Sequence, residues 1–262
     1  MKGLSALGYH PPAALGRRVS ASELAWMVPL ALFVGALVLY VSTRSISLDD
    51  FDSFNFARAI DHFDVRLNQP QPPGYPVYVF LARLFDLVVR DQQAALTLLS
   101  AASGAVAVVA FWGLASEAGA PWAALPLTLM PLFWLSSGMA LSDVPGLAVA
   151  TVATLFLVRG ARDWRWLLAG AAVAALAAGV RPQDAIVPLG VVVLYVAARA
   201  WLAGECPHLA SPTAVGEEHV SPRPPQRERV RVRALLLAAC AFVLACLTWA
   251  VPLAISLGGP AA

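Results

Sequence analysis

The strongest constraint on this chain is a series of long apolar runs separated by short polar segments. Runs near the ~17–25 residues that a helix needs to cross a bilayer lie at 24–42, 94–116, 121–140, 143–158, 165–180, 183–203 and 234–257. Only 13% of the 262 residues are charged and the mean hydropathy is +0.70, whereas soluble domains carry about 25% charged residues. The sequence therefore predicts an all-α integral membrane protein, a polytopic transmembrane helical bundle.

A further apolar run, from Tyr75 to Val89, predicts a helix that lies in the plane of the membrane. Arg83, Asp86 and Arg90 recur on one face of this run, as in amphipathic interfacial helices. With a cytoplasmic N-terminus and this helix in plane, twelve of the 18 Lys and Arg residues face the cytoplasm, as the positive-inside rule requires. If the helix crossed the membrane, the distribution would invert.

The segment before it predicts a second amphipathic helix in the same outer loop, joined to the first by a proline-rich turn at 69–76. Its apolar positions recur with helical spacing, and the remaining positions are expected to face water. The apolar set is Phe56, Ala59, Ile60 and Phe63, and the polar set is Asn55, Arg58 and His62.

These features divide the chain into four parts. We expect a cytoplasmic N-terminal segment at 1–23 and a transmembrane module at 24–203, whose first outer loop is 43–93. A polar cytoplasmic loop at 204–233, rich in Pro, Ser, Glu and Arg, precedes the last transmembrane helix and the C-terminus at 234–262. Whether the chain is entire or the N-terminal module of a longer protein is left open.

In this topology five charged residues fall at the extracytoplasmic face, each near the end of a predicted helix. Charged groups cost several kcal/mol in hydrocarbon, so their position on one side favours a polar site at the membrane surface. They are Asp49, Asp50, Asp143, Arg181 and Asp184. The net charge of +2 gives no reason to expect nucleic-acid binding.

Four segments together resemble the polytopic GT-C glycosyltransferases. The closest likeness is to bacterial relatives of the dolichyl-phosphate-mannose protein mannosyltransferases and of the aminoarabinose lipid A transferases, over the seven-helix module that they share. The segments are SLDDFDSFNFAR at 47–58, PPGYPVYVFLARLF at 72–85, ALSDVPG at 140–146 and AAGVRP at 177–182.

The resemblance implies transfer of a sugar from a polyprenyl-phosphate carrier to an acceptor in the outer half of the membrane, with inversion at the anomeric carbon. An aspartate in the first outer loop would act as general base, which places the role on Asp49 with Asp50 beside it. The partners implied are the lipid-linked donor, membrane lipid and an acceptor protein, lipid or glycan, in a bacterial cytoplasmic membrane. One departure is Gln71, where relatives often have His or Lys before the two prolines.

The acidic residues of the first outer loop have two interpretations. An inverting displacement needs a carboxylate within hydrogen-bond reach of the attacking hydroxyl, and Asp49 or Asp50 could supply it. The same residues could instead cap the next helix and favour its positive N-terminal end. For Asp52 we expect capping.

The substrate-binding candidates are equally open. Arg181 suits bidentate contact with the carrier phosphate, but it could also extend toward lipid headgroups. Asp184 could orient Arg181 or simply pair with it, and Asp143 could bind substrate or cap its helix. Arg58 could reach a phosphate, and Tyr75 could line the sugar or lipid groove or anchor at the interface.

Two other classes of function remain possible from the sequence. A transporter would be expected to carry charged residues at mid-span, and these spans have almost none. A truncated protein without catalytic activity is the other alternative. No cofactor and no dedicated set of metal ligands is expected, while metal dependence, the sugar and the acceptor are not determined.

Overall fold

The protein is mainly helical in the part that its computed structural model describes, which comprises residues 21–160, 162–188, 190 and 224–257. No β-strand occurs among these residues, so the all-α prediction is confirmed. The helices are α1 (Ala21–Ser42), α2 (Phe51–Asp61), α3 (Pro76–Val89), α4 (Gln92–Glu117), α5 (Ala124–Leu129), α6 (Pro131–Ser136), α7 (Asp143–Arg159), α8 (Trp164–Val180) and α9 (Pro224–Ser256), with short 3-10 turns at Val65–Leu67, Pro121–Ala123 and Pro182–Ala185.

Two of the described helical segments are long and apolar enough to cross a membrane, by length and composition. They are Gln92–Glu117 in α4 and Leu237–Ile255 in α9. Trp26–Ser42 and Trp164–Val180 are apolar but shorter. These helices agree with a membrane protein, while the full set of seven spans stays a prediction, because most of 183–203 lies outside the described residues, as do 1–20 and 204–223.

The predicted span 121–140 is not one helix, and this part of the prediction is wrong. A 3-10 turn and two helices of six residues each, α5 and α6, occupy it. Met130 has an extended backbone, with φ −63° and ψ 121°. The cause is Pro131, since a proline ring excludes the helical conformation at the preceding residue. The segment still leads from the end of α4 back to the first outer loop, where Ser45 N donates to Gly138 O at 3.0 Å.

The cytoplasmic loop predicted at 204–233 also ends earlier than expected, because α9 begins at Pro224. Proline is favoured in the first turn of a helix, where its missing N–H has no partner to lose. The Arg, Glu and Gln residues that follow have good helix propensity. Residues 224–233 are therefore helical.

The two predicted outer-loop helices are present as α2 and α3. At 14 residues, α3 is about 21 Å long, which is too short for a hydrocarbon core of ~30 Å. Its apolar side chains Phe80, Leu87 and Val88 are exposed, as a helix lying in a membrane surface requires. Its polar residue Arg83 turns to α2, where it donates to Ile60 O at 2.7 Å and to Ala59 O at 3.0 Å.

Asn55 of α2 is buried, although the amphipathic pattern predicts that it faces water. Phe56, Ala59 and Ile60 are buried as expected, and Arg58 is exposed. Asn55, however, is only 4% exposed. The reason is that α2 contacts both α3 and α4, which buries a wider face than a single contact would.

The helices pack through small residues, as is usual where helices meet in membranes. The first half of α4 packs with α2 and α3 around Phe56, Tyr78 and Leu96.

The two ends of the α7–α8 pair differ in charge. At one end Glu117 pairs with Arg159 (3.1 Å) and Arg162 (2.7 Å), and the opposite end carries the start of α7 and the end of α8.

Candidate functional site

The candidate site is centred on an ion pair between two neighbouring helix ends. Asp143 is the first residue of α7, and Arg181 directly follows the last residue of α8. The Nη1 atom of Arg181 donates to Oδ1 of Asp143. Arg181 is 25% exposed and Asp143 is 49% exposed, so the pair lies at the border between packed helices and solvent.

A glycine permits this close approach. Gly146 lies in the first turn of α7, against the 3-10 turn that holds Arg181 and Asp184. A Cβ atom at position 146 would collide with Oδ2 of Asp184 and would come within 3.0 Å of Cβ of Arg181. The absence of a side chain at this position therefore brings Asp184 to the ion pair.

Arg181 is surrounded by acceptors. Besides Asp143, the amide oxygen of Gln183, in the orientation that satisfies both groups, accepts from Nε of Arg181 at 2.5 Å. Asp184 interacts electrostatically with both Arg181 and Asp143. The guanidinium thus bonds the carboxylate of Asp143 and the amide of Gln183 at one end of α7 and α8, and it acts electrostatically on Asp184.

Asp52 is the outer-loop carboxylate that interacts electrostatically with this group. Burial raises the pKa of Asp52, and the charges of Asp50 and Asp143 raise it further, while Gln71 and Arg181 partly offset the effect. A carboxyl that is partly desolvated and beside a guanidinium is the type of group that acts as a general base. Asp52 was expected to be a helix cap, and that prediction is wrong.

The cap is Asp50 instead. Asp50 is the N-cap residue of α2, and its carboxylate Oδ1 accepts from the backbone N of Asp52 at 2.9 Å. This is the usual bond by which an aspartate satisfies a free N–H at the start of a helix. The capping interpretation thus accounts for the position of Asp50.

Asp49 lies in the exposed loop before α2. Its carboxylate accepts from Ser47 Oγ at 2.5 Å and from Ser45 Oγ at 2.7 Å. Hydrogen bonds from Ser47 and Ser45 lower the pKa of Asp49, because they stabilise its charged form. No contact links Asp49 to Arg181 in the part of the chain described.

Tyr75 borders the site from the proline-rich turn. It has a left-handed backbone, with φ 46°, and directly precedes the Pro76 that starts α3. Its ring meets Phe56 edge-on with 5.2 Å between centroids. Burial raises the pKa of the Tyr75 hydroxyl, and the charges of Arg181 and Asp52 also act on it.

We define the outer-loop site as the side chains that the ion pair and these electrostatic interactions connect: Asp52, Gln71, Tyr75, Asp143, Arg181 and Asp184. Four of the seven site residues predicted from the sequence are among them, namely Tyr75, Asp143, Arg181 and Asp184. The other three are Asp49, Asp50 and Arg58. Arg58 is exposed in the last turn of α2.

Asp52 and Gln71 are site residues that the sequence predictions do not include, although the sequence carries a signal for Asp52. Asp52 precedes Asn55 and Phe56 by three and four residues, which places all three on one face of a helix. That face is the buried one. Asp49 precedes α2 and therefore does not lie on this buried face of the helix.

A separate open cavity of about 690 Å³ lies at the other end of α3. It is acidic at its rim and contains none of the outer-loop site residues. Its lining includes Leu48, Asp61, Asp86, Leu87, Arg90 and Asp91. Among the described residues, no three His, Cys, Asp or Glu side chains are placed to hold a metal ion.

Comparison with known proteins gives one family. Residues 69–215, more than half of the chain, match the family model described as dolichyl-phosphate-mannose-protein mannosyltransferase. The matched segment includes Tyr75, Asp143, Arg181 and Asp184 and begins after Asp52. No curated protein and no solved structure matches the chain. The chain therefore belongs to the dolichyl-phosphate-mannose-protein mannosyltransferase family, and it is a membrane glycosyltransferase of that type.

Proposed function

We propose that this protein transfers a sugar from a polyprenyl-phosphate carrier to an acceptor hydroxyl at the extracytoplasmic face of the membrane, with inversion at the anomeric carbon. The observation that carries the proposal is the presence of Asp52 and Arg181 in one half-buried site. A displacement of this kind needs a base for the attacking hydroxyl and a cation near the leaving phosphate. The outer-loop site contains both.

Asp52 is our choice for the general base. Proton transfer is most efficient when the base has a pKa near the working pH, and the pKa of Asp52 is raised, chiefly by burial. The sequence favours Asp49 and Asp50 for this role. Two observations argue against these residues. Hydrogen bonds from two serines lower the pKa of Asp49, and the carboxylate of Asp50 caps α2.

Arg181 is our choice for the group that receives the carrier phosphate. A guanidinium can make two parallel hydrogen bonds to phosphate oxygens, and its contact with Asp143 is partly open to solvent. Asp143 and Asp184 would hold Arg181 in place before the donor binds. Arg58, exposed on α2, would act at most in the approach of the anionic carrier.

The charges at the two ends of the bundle support the sidedness that we propose for the site. Arg159 and Arg162 lie at the end opposite to the outer-loop site, and basic residues concentrate on the cytoplasmic side of membrane proteins. We therefore place the N-terminal segment 1–23 and the segment 204–223 in the cytoplasm and the loop 43–93 outside. The expected location is a bacterial cytoplasmic membrane, which the chain would cross several times.

A transfer assay in proteoliposomes tests this function. The purified protein receives radiolabelled mannose either on polyprenyl phosphate or as GDP-mannose, with solubilised membranes of the source cell as the pool of acceptors. We expect label to leave the lipid carrier and to appear in a product with the opposite anomeric configuration. Transfer from GDP-mannose without transfer from the lipid carrier would contradict the proposal.

A further inference from the structure

Three side chains in and next to the outer-loop site carry buried polar atoms with no hydrogen-bond partner among the described residues. The atoms are Nδ2 of Asn55, the amide N and O of Gln71, and the hydroxyl of Tyr78. Asn55 is 4% exposed and Tyr78 is fully buried. Buried polar groups in native proteins nearly always have a partner, and leaving one without a partner is unfavourable. A group of three therefore has hydrogen-bonding capacity left for a ligand.

Two of these side chains are neighbours of Asp52, and the third packs next to them through Phe56. Asn55 is one turn further along α2, a rise of about 4.5 Å, on the same face of the helix. Gln71 lies beside Asp52 closely enough to lower its pKa, although its amide makes no hydrogen bond of normal geometry. The ring of Tyr78 packs edge-on against Phe56 at 4.7 Å between centroids, and Phe56 directly follows Asn55. The Tyr78 hydroxyl has Ser100 as a neighbour, but the two make no hydrogen bond of normal geometry. We name Asn55, Gln71 and Tyr78 the amide subsite.

The chemistry of the amide subsite selects neutral hydroxyl groups. An amide offers two N–H donors and a carbonyl acceptor, and a phenol can donate or accept. A sugar hydroxyl, which also does both, is complementary to such a set. A phosphate would need cations, and none of these three side chains is one. The cation of the outer-loop site is Arg181, which is paired with Asp143.

We propose that the amide subsite recognises the ring hydroxyls of the sugar on the lipid-linked donor. This inference rests on the proposed function and adds the residues that bind and recognise the sugar. Arg181 holds the phosphate, Asp52 faces the acceptor hydroxyl, and Asn55 and Gln71 hold the ring. Gln71 lies on the proline-rich turn and has three rotatable side-chain bonds, so that it can turn aside as the ring enters.

The test compares the affinity of the purified protein for two probes, decaprenyl-phosphate mannose and decaprenyl phosphate. The ratio of the two affinities isolates the contribution of the sugar. The variants are Gln71→Met and Asn55→Leu, which keep the side-chain volume and remove the polar atoms. Gln92→Met, at a glutamine that bonds Asp61 near the separate cavity, is the matched control.

We expect the wild-type protein to prefer the mannose-bearing carrier. Each subsite variant should lower this preference about fivefold, the effect of one net hydrogen bond, with unchanged affinity for decaprenyl phosphate. Because their unpaired polar atoms are gone, the variants should unfold at the same or a higher temperature. The control should keep the wild-type preference.

Three results would overturn the inference. One is an unchanged preference in both subsite variants, the outcome expected if water alone fills the subsite. Another is an equal loss of affinity for both probes, which would assign the residues to the phosphate or to folding. The third is a wild-type protein with no preference for the mannose-bearing carrier. If the preference is unchanged and transfer from the carrier persists, the inference fails alone. If the wild-type protein binds neither probe, the proposed function fails with it.

Discussion

Arg181 and Asp143 form an ion pair although they are 38 positions apart in the sequence, and this pair joins the end of α8 to the start of α7. It fixes a cation that acts electrostatically on Asp52, the partly buried carboxylate of α2. The consequence is that the chemical groups of the outer-loop site come from three separate parts of the chain. Changes at any one of them should therefore alter the chemistry of the others.

The pH dependence of transfer should report this coupling. A base acts only when it is deprotonated, and the pKa of Asp52 is raised, so the acidic limb of kcat/KM should lie above the ordinary aspartate pKa of about 4. Asp143 contributes to that increase, so Asp143→Asn should move the limb to lower pH. Arg181 opposes it, so Arg181→Gln should move the limb to higher pH. Shifts in the same direction for both variants would contradict the assignment.

Gly146→Ala should lower transfer activity. The new methyl group would collide with Asp184 and press on Arg181, and crowding of this kind costs about 1–3 kcal/mol of stability. Gly35→Ala is the matched control, since a Cβ atom there meets nothing within 4 Å. Thermal unfolding and transfer should both decline in the first variant and stay near wild type in the second. Equal behaviour of the two variants would show that the close approach at Gly146 does not matter.

The two arginines of the outer region should differ in their effect on the carrier. Arg181→Ala removes the guanidinium of the outer-loop site, whereas Arg58→Ala removes an exposed side chain of α2. We expect the first to weaken binding of decaprenyl phosphate at least tenfold, because charge-assisted hydrogen bonds contribute about 1.5–3 kcal/mol. The second should change binding less than threefold and mainly at low salt. Binding by equilibrium dialysis in detergent measures both, and the reverse order would refute the phosphate assignment.

Accessibility to a membrane-impermeant thiol reagent tests the sidedness. In a protein without native cysteines, a single cysteine at exposed position 91 before α4 should react from outside the cell. A cysteine at position 162, at the Arg159 end of the bundle, should react only after the membrane is opened. Labelling of 162 but not 91 in intact cells would put the outer-loop site in the cytoplasm, contrary to the proposal.

The sequence predicts the helical class and much of the site because both depend on local patterns. The topology with Tyr75 to Val89 in the membrane plane puts Asp143, Arg181 and Asp184 on one face, and these residues interact in the structure. The break at Met130 was missed because an apolar composition does not reveal how strongly Pro131 disfavours a continuous helix. The role of Asp52 was missed because burial of α2 on two neighbours is a tertiary effect. The same effect explains why Asn55 is buried.

The most direct measurement of the central claim is the transfer rate of Asp52→Asn compared with that of Asp49→Asn. The pKa of Asp52 is higher in the folded protein than in the unfolded chain, so the folded state favours the protonated carboxyl. The folded protein therefore loses stability as the pH rises from the unfolded pKa of about 4 through the folded pKa. The uncharged Asp52→Asn protein should therefore be at least as stable as wild type at neutral pH.

Transfer from polyprenyl-phosphate mannose should fall by about 10²–10⁴ in Asp52→Asn, the usual contribution of a general base, and by only a few fold in Asp49→Asn. Full activity in Asp52→Asn, with loss in Asp49→Asn, would contradict the account and return the catalytic role to the exposed loop.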